Sequence, residues 1–133
     1  MSWVEVFAVS IVCHLVGDFV LQTDWQARFK TGGLGADRVR RRALFSHVIT
    51  YTLCFVPALI WIGIESGQAW RAVLVGVVVF VPHLVQDDGR LLDSYIRTVK
   101  GVRDEADPSG LRVAVDQAFH LVFLFGTALL AAG

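Results

Sequence analysis

Long apolar stretches alternate with short polar ones along this chain. Four of the apolar stretches approach the length of a membrane span, and they occupy residues 3–22, 43–64, 69–86 and 113–132. A helix needs roughly 20 mostly apolar residues to cross a hydrocarbon core of about 30 Å. The pattern therefore predicts an all-α fold in which residues 1–133 form a single domain, a bundle of four transmembrane helices.

The prolines and the last polar stretch refine this prediction. Pro57 lies midway along the second apolar stretch and predicts a kink there, because proline cannot complete the helical hydrogen-bond ladder. Residues 87–112, between the third and fourth helices, carry apolar residues at amphipathic spacing: Leu91, Leu92, Tyr95, Ile96 and Val99. This spacing predicts a short interfacial helix that covers one end of the bundle.

Composition strengthens the case for a membrane protein. Of the 133 residues 55% are hydrophobic and 18% are charged, and the mean hydropathy is +0.58, which is too apolar for a soluble domain of this size. Cys13 and Cys54 lie in apolar stretches without a CxxC pair, so we expect buried thiols and no disulfide. Glu5 and the lack of a basic leader indicate that the first stretch is retained as a helix.

The basic residues are unevenly distributed. Eleven of the twelve lysines and arginines lie in residues 23–42 and 87–112, which a four-helix bundle places on the same side of the membrane. The positive-inside rule predicts that these segments are cytoplasmic, with both termini outside, in an inner or plasma membrane. The basic run at residues 38–42 adjoins a membrane helix, so contact with anionic lipid headgroups explains it better than nucleic acid does. We expect membrane lipids as partners and no nucleic acid.

All four histidines lie within or beside the apolar stretches. Three of them pair with an aspartate four residues away: His14 with Asp18, His83 with Asp87, and His120 with Asp116. Residues four apart project from the same face of a helix. The remaining histidine, His47, lies near the start of the second helix. The predicted topology, derived from lysine and arginine alone, places all seven residues at one depth near the cytoplasmic side.

Imidazole and carboxylate groups at this spacing suit a metal centre. Such pairs on facing helices of a bundle can surround one or two ions of a divalent transition metal. We favour zinc, with iron and manganese as alternatives. The predicted ligands are His14, Asp18, His47, His83, Asp87, Asp116 and His120. Among them Asp18, Asp87 and Asp116 are the candidate catalytic residues, because a carboxylate can act as a ligand or as a general base for hydrolysis.

Three functions fit this pattern. The first is a metal-dependent hydrolase that acts on a lipid or lipid-linked substrate at the cytoplasmic leaflet, with the basic segments attracting an anionic headgroup or phosphate. The second is a non-enzymatic membrane protein in which the His/Asp cluster is structural or belongs to a larger assembly. The third is a transporter of metal or a small solute, but the sequence shows no matching polar set toward the outer face. The oligomeric state stays open.

One segment carries a family resemblance. Residues 14–25 read HLVGDFVLQTDW, and they are followed by Lys30, His47, the 83–87 pair and the sequence DQAFH at residues 116–120. This arrangement resembles the DUF3307 family of small bacterial and phage integral membrane proteins, and its H-x-x-G-D-F-x-x-Q opening is the most specific part. The resemblance covers nearly the whole chain and implies a polytopic membrane protein without an assigned reaction. More loosely, the pattern is similar to membrane-bound metal-dependent hydrolases.

Overall fold

The computed structural model describes residues 1–102 and 110–133, and these residues form helices joined by short turns. Within them the helices are, in chain order, α1 (Trp3–Leu15), α2 (Asp24–Phe29), α3 (Arg38–Cys54), α4 (Val56–Ser66), α5 (Ala69–Asp87), α6 (Arg90–Thr98) and α7 (Leu111–Ala132). A π-helical turn, Val16–Val20, continues α1. Arg103, which belongs to the second basic segment of the sequence, lies outside the described residues. The predicted all-α fold is confirmed.

Three segments of the described chain are long and apolar enough to cross a membrane: Trp3–Val20, Ala69–Asp87 and Leu111–Ala132. A fourth span results if α3 and α4, which meet at an angle of 45°, are counted as one. The outward faces of these helices carry exposed apolar side chains such as Val12, Leu53, Val73 and Val122. A soluble monomer rarely exposes so much apolar surface. These features indicate a membrane protein.

The second apolar stretch differs from its predicted form. Its first helix begins at Arg38 instead of residue 43, because the Asp37 side chain accepts hydrogen bonds from the backbone of Val39 and Arg40 at 2.8 and 3.2 Å and so caps the helix. The helix then breaks at Phe55, and α4 restarts with Pro57 in its first turn, where a missing N–H costs nothing. The 45° bend at this point confirms the predicted kink.

The amphipathic segment after α5 does form a helix, α6. Leu92 and Ile96 are buried against the bundle, whereas Leu91 and Val99 are exposed. The helix packs on α5 and α7 beside the end of the bundle that carries the histidines. Its position at a membrane interface stays a prediction.

Packing of the long helices separates an apolar core from a polar one. α1 packs on α7, α7 on α5, and α5 on both α3 and α4. The apolar core contains Val6, Tyr51, Phe55, Ile62, Val75, Val79, Leu124, Ala128 and Ala131. In α1 and α5 these residues precede the His/Asp pairs, and in α7 they follow them. The polar residues are therefore gathered at the opposite end of the bundle.

Candidate metal centre

The π-helical turn positions Asp18. A turn of this kind inserts one extra residue into a helix and frequently marks a functional site. A β-carbon on Gly17 would lie 2.6 Å from Cδ2 of Tyr51, so the side chain of any other residue would push α1 away from α3 at this point. The close approach places the buried carboxylate of Asp18 between α3 and α5.

Asp87, at the end of α5, is the centre of the cluster. Its Oδ2 lies 2.8 Å from Nε2 of His47 and 3.2 Å from Nε2 of His83. Its Oδ1 lies 3.6 Å from Nε2 of His120. Each of these four side chains is at most 2% exposed. Helices α3, α5 and α7 thus direct one donor atom each toward a single buried carboxylate.

Asp18 approaches the same imidazoles from the π-helical turn that follows α1. Its Oδ1 lies 3.3 Å from Nε2 of His47 and 3.6 Å from Nε2 of His83, and these two nitrogens are 3.2 Å apart. The residues fall into two possible metal-binding groups, which we call group A (His47, His83 and Asp87) and group B (Asp18, His83 and His120). In each group the ligand atoms lie within 4.8 Å of one another, and His83 belongs to both.

The donor set fits a divalent transition metal. Tetrahedral bonds of about 2.0–2.1 Å place neighbouring ligand atoms about 3.3–3.4 Å apart. The separations within group A, 2.8 to 3.2 Å, are slightly shorter than this value, and the separation of Asp18 from His83 in group B, 3.6 Å, is slightly longer. In addition, two members of group B have a buried atom that points into the cluster and makes no hydrogen bond to the described residues: Asp18 Oδ1 and His120 Nε2. Buried polar atoms normally have partners, and a cation would provide one here.

His120 is oriented by the backbone of its own helix. Its Nδ1 lies 2.9 Å from the main-chain oxygen of Asp116, which can only accept a hydrogen bond, so Nδ1 carries the proton. The lone pair of a neutral imidazole is then on Nε2, the atom nearest to Asp87. This is the usual arrangement of a metal-binding histidine.

Two of the seven predicted ligands, His14 and Asp116, lie beside the groups instead of within them. His14 Nδ1 is 3.2 Å from the Tyr51 hydroxyl and 3.4 Å from Asp18 Oδ2, and its Nε2 is 3.0 Å from Gln117 Oε1. The His14 ring therefore contacts the Asp18 carboxylate and helps to hold it in place. The Asp116 carboxylate is 26% exposed and lies 3.9 Å from His120 Nδ1. The other five predicted ligands form groups A and B.

Three residues that contact the site were not among the predicted site residues. Lys30 Nζ lies 3.0 Å from Asp87 Oδ2, the ring of Tyr51 stacks on that of His83 with centroids 3.4 Å apart, and Gln117 contacts His14. Tyr51 lies one turn after His47, and helical spacing places both residues on a face that we expect to point into the bundle. Lys30 stood in the family-like segment, but its pairing with Asp87 has no local signal. Nothing in the sequence marks Gln117.

A cavity of about 280 Å³ adjoins the cluster, and we call it the polar cavity because five charged residues line it together with apolar ones. Asp18 and Asp87 lie on its inner wall, and Lys30, Arg112 and Asp116 lie nearer its mouth. Arg112 also pairs with Asp93 on α6. The cavity gives solvent or a ligand access to residues of both groups.

Together, the fold and this site define an all-helical membrane protein with buried His/Asp groups that can hold a metal ion. The family model described as "Protein of unknown function (DUF3307)" matches residues 6–131. The chain belongs to this family, which confirms the resemblance found in the sequence. No curated protein and no solved structure matches the chain.

Proposed function

We propose that the protein is a metal-dependent hydrolase of the inner or plasma membrane that acts on a lipid or lipid-linked substrate from the cytoplasmic leaflet. The observation that carries the proposal is the convergence of two carboxylates and three imidazoles from α1, α3, α5 and α7 beside a polar cavity. A structural metal site is normally closed, whereas a catalytic one keeps a position open to water or substrate. The cavity beside Asp18 and Asp87 provides that opening.

The membrane orientation follows from charge. We count α3 and α4 as one broken span, which gives four spans and places both termini outside. The basic segments that contain Lys30, residues 38–42 and Arg90 then face the cytoplasm. In this orientation α6 lies at the inner interface and the polar cavity opens at the cytoplasmic surface.

Groups A and B hold one or two divalent ions in this proposal, with zinc favoured over iron or manganese. An ion at this position supplies Lewis acidity and lowers the pKa of a water molecule toward neutrality. The shared ligand, His83, joins the two groups, so its loss affects either ion. Tyr51 positions His83 by stacking on its ring.

The remaining residues have distinct roles. Asp116 lies outside both groups but lines the cavity, so its carboxylate is the general base that accepts a proton from the attacking water. The water oxygen bonds to the phosphorus or acyl carbon of the substrate as the ester bond breaks, and the proton passes from Asp116 to the leaving oxygen. Lys30 and Arg112 at the cavity wall attract the anionic part of the substrate.

A structural cluster is the second candidate function. The hydrogen bonds of His14 to Tyr51 and Gln117, and the ion pair between Lys30 and Asp87, hold helices together without any metal. A purely structural role predicts that substitutions in the cluster reduce stability. It also predicts that no substitution lowers the rate of hydrolysis while leaving stability unchanged.

The experiment that separates the two candidates measures hydrolysis. Protein purified in detergent and supplied with zinc, iron or manganese is incubated with phosphatidic acid, phosphatidylglycerol and phosphatidylethanolamine, and the products are measured by mass spectrometry. The variant Asp116→Asn is compared with Asp24→Asn, since Asp24 is an exposed residue of α2 that pairs with Arg28.

We expect Asp116→Asn to lose about 10²–10⁴-fold in turnover, as for a general base, with its metal content and unfolding temperature unchanged. Asp24→Asn should match the wild type. Absence of hydrolysis with all three metals, or full activity of Asp116→Asn, would contradict the proposal.

A further inference from the structure

An apolar groove of about 490 Å³ lies between α5, α6 and α7. Its wall is formed mainly by Val81, Val85, Leu91, Tyr95, Phe119 and Phe123. Tyr95 and Phe119 pack edge to face with ring centroids 5.1 Å apart and so join α6 to α7. The groove is large enough for part of a lipid-sized ligand.

The groove adjoins the polar cavity. Gln86, Leu92 and Asp116 line both spaces, so the apolar and polar parts share one boundary. Along α7 the groove extends from Asp116 to Phe123, seven residues or about 10 Å of helix. A ligand that fills both spaces must be polar at one end and apolar at the other.

The mouth of the groove lies on the outward face of the bundle. Val81 is 48% exposed, Phe123 is 49% exposed and Leu91 is 60% exposed. Val81 and Phe123 belong to α5 and α7, two helices that can cross a membrane. Outward faces of such helices contact lipid chains, so an acyl chain can enter sideways from the bilayer.

Gln86 stands at the boundary with an unused donor. The residue is 8% exposed, and no residue in the described part of the chain accepts a hydrogen bond from its Nε2. A buried amide donor without an acceptor is costly. An ester or phosphate oxygen at the junction of headgroup and chain would accept this hydrogen bond.

The charges of the polar cavity suit an anion once a metal is present. Its wall carries two basic residues, Lys30 and Arg112, and three aspartates, Asp18, Asp87 and Asp116. One divalent ion changes the formal sum of these charges from −1 to +1. Phosphate affinity is therefore expected to depend on the metal.

We infer that the substrate is a phosphate-bearing lipid whose chain lies in the apolar groove, whose linking oxygens meet Gln86, and whose phosphate lies in the polar cavity. This inference rests on the proposed function and deepens it by naming the substrate class. A second copy of the chain could also cover an apolar groove, but it would leave unexplained the Gln86 donor and the two basic residues, Lys30 and Arg112, of the cavity wall.

Photolabelling tests the position of the chain. The probe is phosphatidic acid with a diazirine midway along one acyl chain, added to zinc-loaded protein in phosphatidylcholine nanodiscs. Val81→Trp fills the groove, and Val77→Trp is the matched control because Val77 is an exposed residue one turn away on the same helix that does not line the groove. Labelled residues are mapped by mass spectrometry, and metal content is measured in the same samples.

We expect labelling to concentrate on Val85, Phe119 and Phe123, and to fall at least tenfold in Val81→Trp but less than twofold in Val77→Trp. Gln86→Leu should weaken phosphatidic acid binding about tenfold without changing metal content. Glycerol 3-phosphate should compete poorly, because it lacks the chain.

Several results would overturn the inference. They are labelling spread evenly over the outward faces, equal labelling of the two tryptophan variants, or competition by glycerol 3-phosphate as strong as that by the intact lipid. If any of these results is obtained with protein that binds metal and hydrolyses lipid, the inference about the groove fails but the hydrolase proposal stands. Labelling of the groove in protein that binds no metal and hydrolyses nothing would instead refute the hydrolase proposal and leave a lipid-binding site.

Discussion

The ion pair between Lys30 and Asp87 offers a test of how the cluster is held without metal. The Lys30 and Asp87 side chains are 17% and 1% exposed, and their charged atoms are 3.0 Å apart. At an effective dielectric constant of about 20, charges at this distance attract by roughly 5–6 kcal/mol, which desolvation partly offsets. Removing one partner of a buried pair typically costs about 3–5 kcal/mol, because the other charge is left uncompensated.

We therefore predict that Asp87→Asn lowers the free energy of unfolding of the metal-free protein by about 3–5 kcal/mol. Lys30→Met should also destabilise it. The double variant should lose less than the sum of the two single losses by about 2 kcal/mol or more, because each single variant leaves the other residue's charge unpaired, whereas the double variant leaves neither charge. Unfolding is followed by circular dichroism in detergent with a chelator present.

The exposed pair formed by Arg28 and Asp24 is the matched control. Its atoms are 2.9 Å apart, but the side chains are 71% and 76% exposed. Exposed pairs four residues apart on a helix are worth about 0.3–0.5 kcal/mol, so the control cycle should show a coupling no larger than that. Equal couplings in the two cycles would refute the argument that burial makes the Lys30–Asp87 pair strong.

Three further predictions follow from packing and from metal removal. Gly17→Ala should cost about 1–3 kcal/mol in thermal unfolding because its β-carbon meets Tyr51. Gly126→Ala on α7 should instead stabilise by up to about 1 kcal/mol, because among the described residues a β-carbon there would meet nothing within 4 Å apart from its chain neighbours and the backbone of its own helix. Tyr51→Phe removes a hydroxyl 3.2 Å from His14 Nδ1 but keeps the stack on His83, so it should cost about 1 kcal/mol and leave metal content unchanged. Zinc at about 100 times its dissociation constant should stabilise wild-type protein, first stripped of metal, by about 2.7 kcal/mol and should not stabilise His83→Ala. Equal stabilisation of the two proteins would contradict the claim that His83 is a ligand shared by both groups.

The long helices and the gathering of the histidines were predictable because both follow from local periodicity. The spacing of four between His83 and Asp87 fixes their common face, and the alternation of apolar with charged segments locates the long helices along the chain. Five of the seven predicted ligands consequently lie in groups A and B. Helical spacing gives a shared face but not which atoms of that face meet, so the sequence could not show that His14 and Asp116 lie beside the two groups.

The remaining features depend on contacts between distant segments. Lys30 reaches Asp87 across 57 positions of sequence, so neither residue signals the other locally. The π-helical turn at Val16–Val20 accompanies the close approach of Gly17 to Tyr51, which becomes visible only when α1 packs on α3. The extension of α3 to Arg38 reflects capping by Asp37 and outweighs the highly charged composition of its first turns.

Elemental analysis of the detergent-purified protein tests the metal centre most directly. Wild type, the double variant His83→Ala/His120→Ala and the control Asp24→Asn are compared by mass spectrometry after equilibration with zinc, iron or manganese and removal of free metal. The proposed centre predicts one or two transition-metal ions per chain in the wild type and the control, and none in the double variant. A wild type that retains none of the three metals would contradict the metal centre and favour a hydrogen-bonded cluster that holds the helices together.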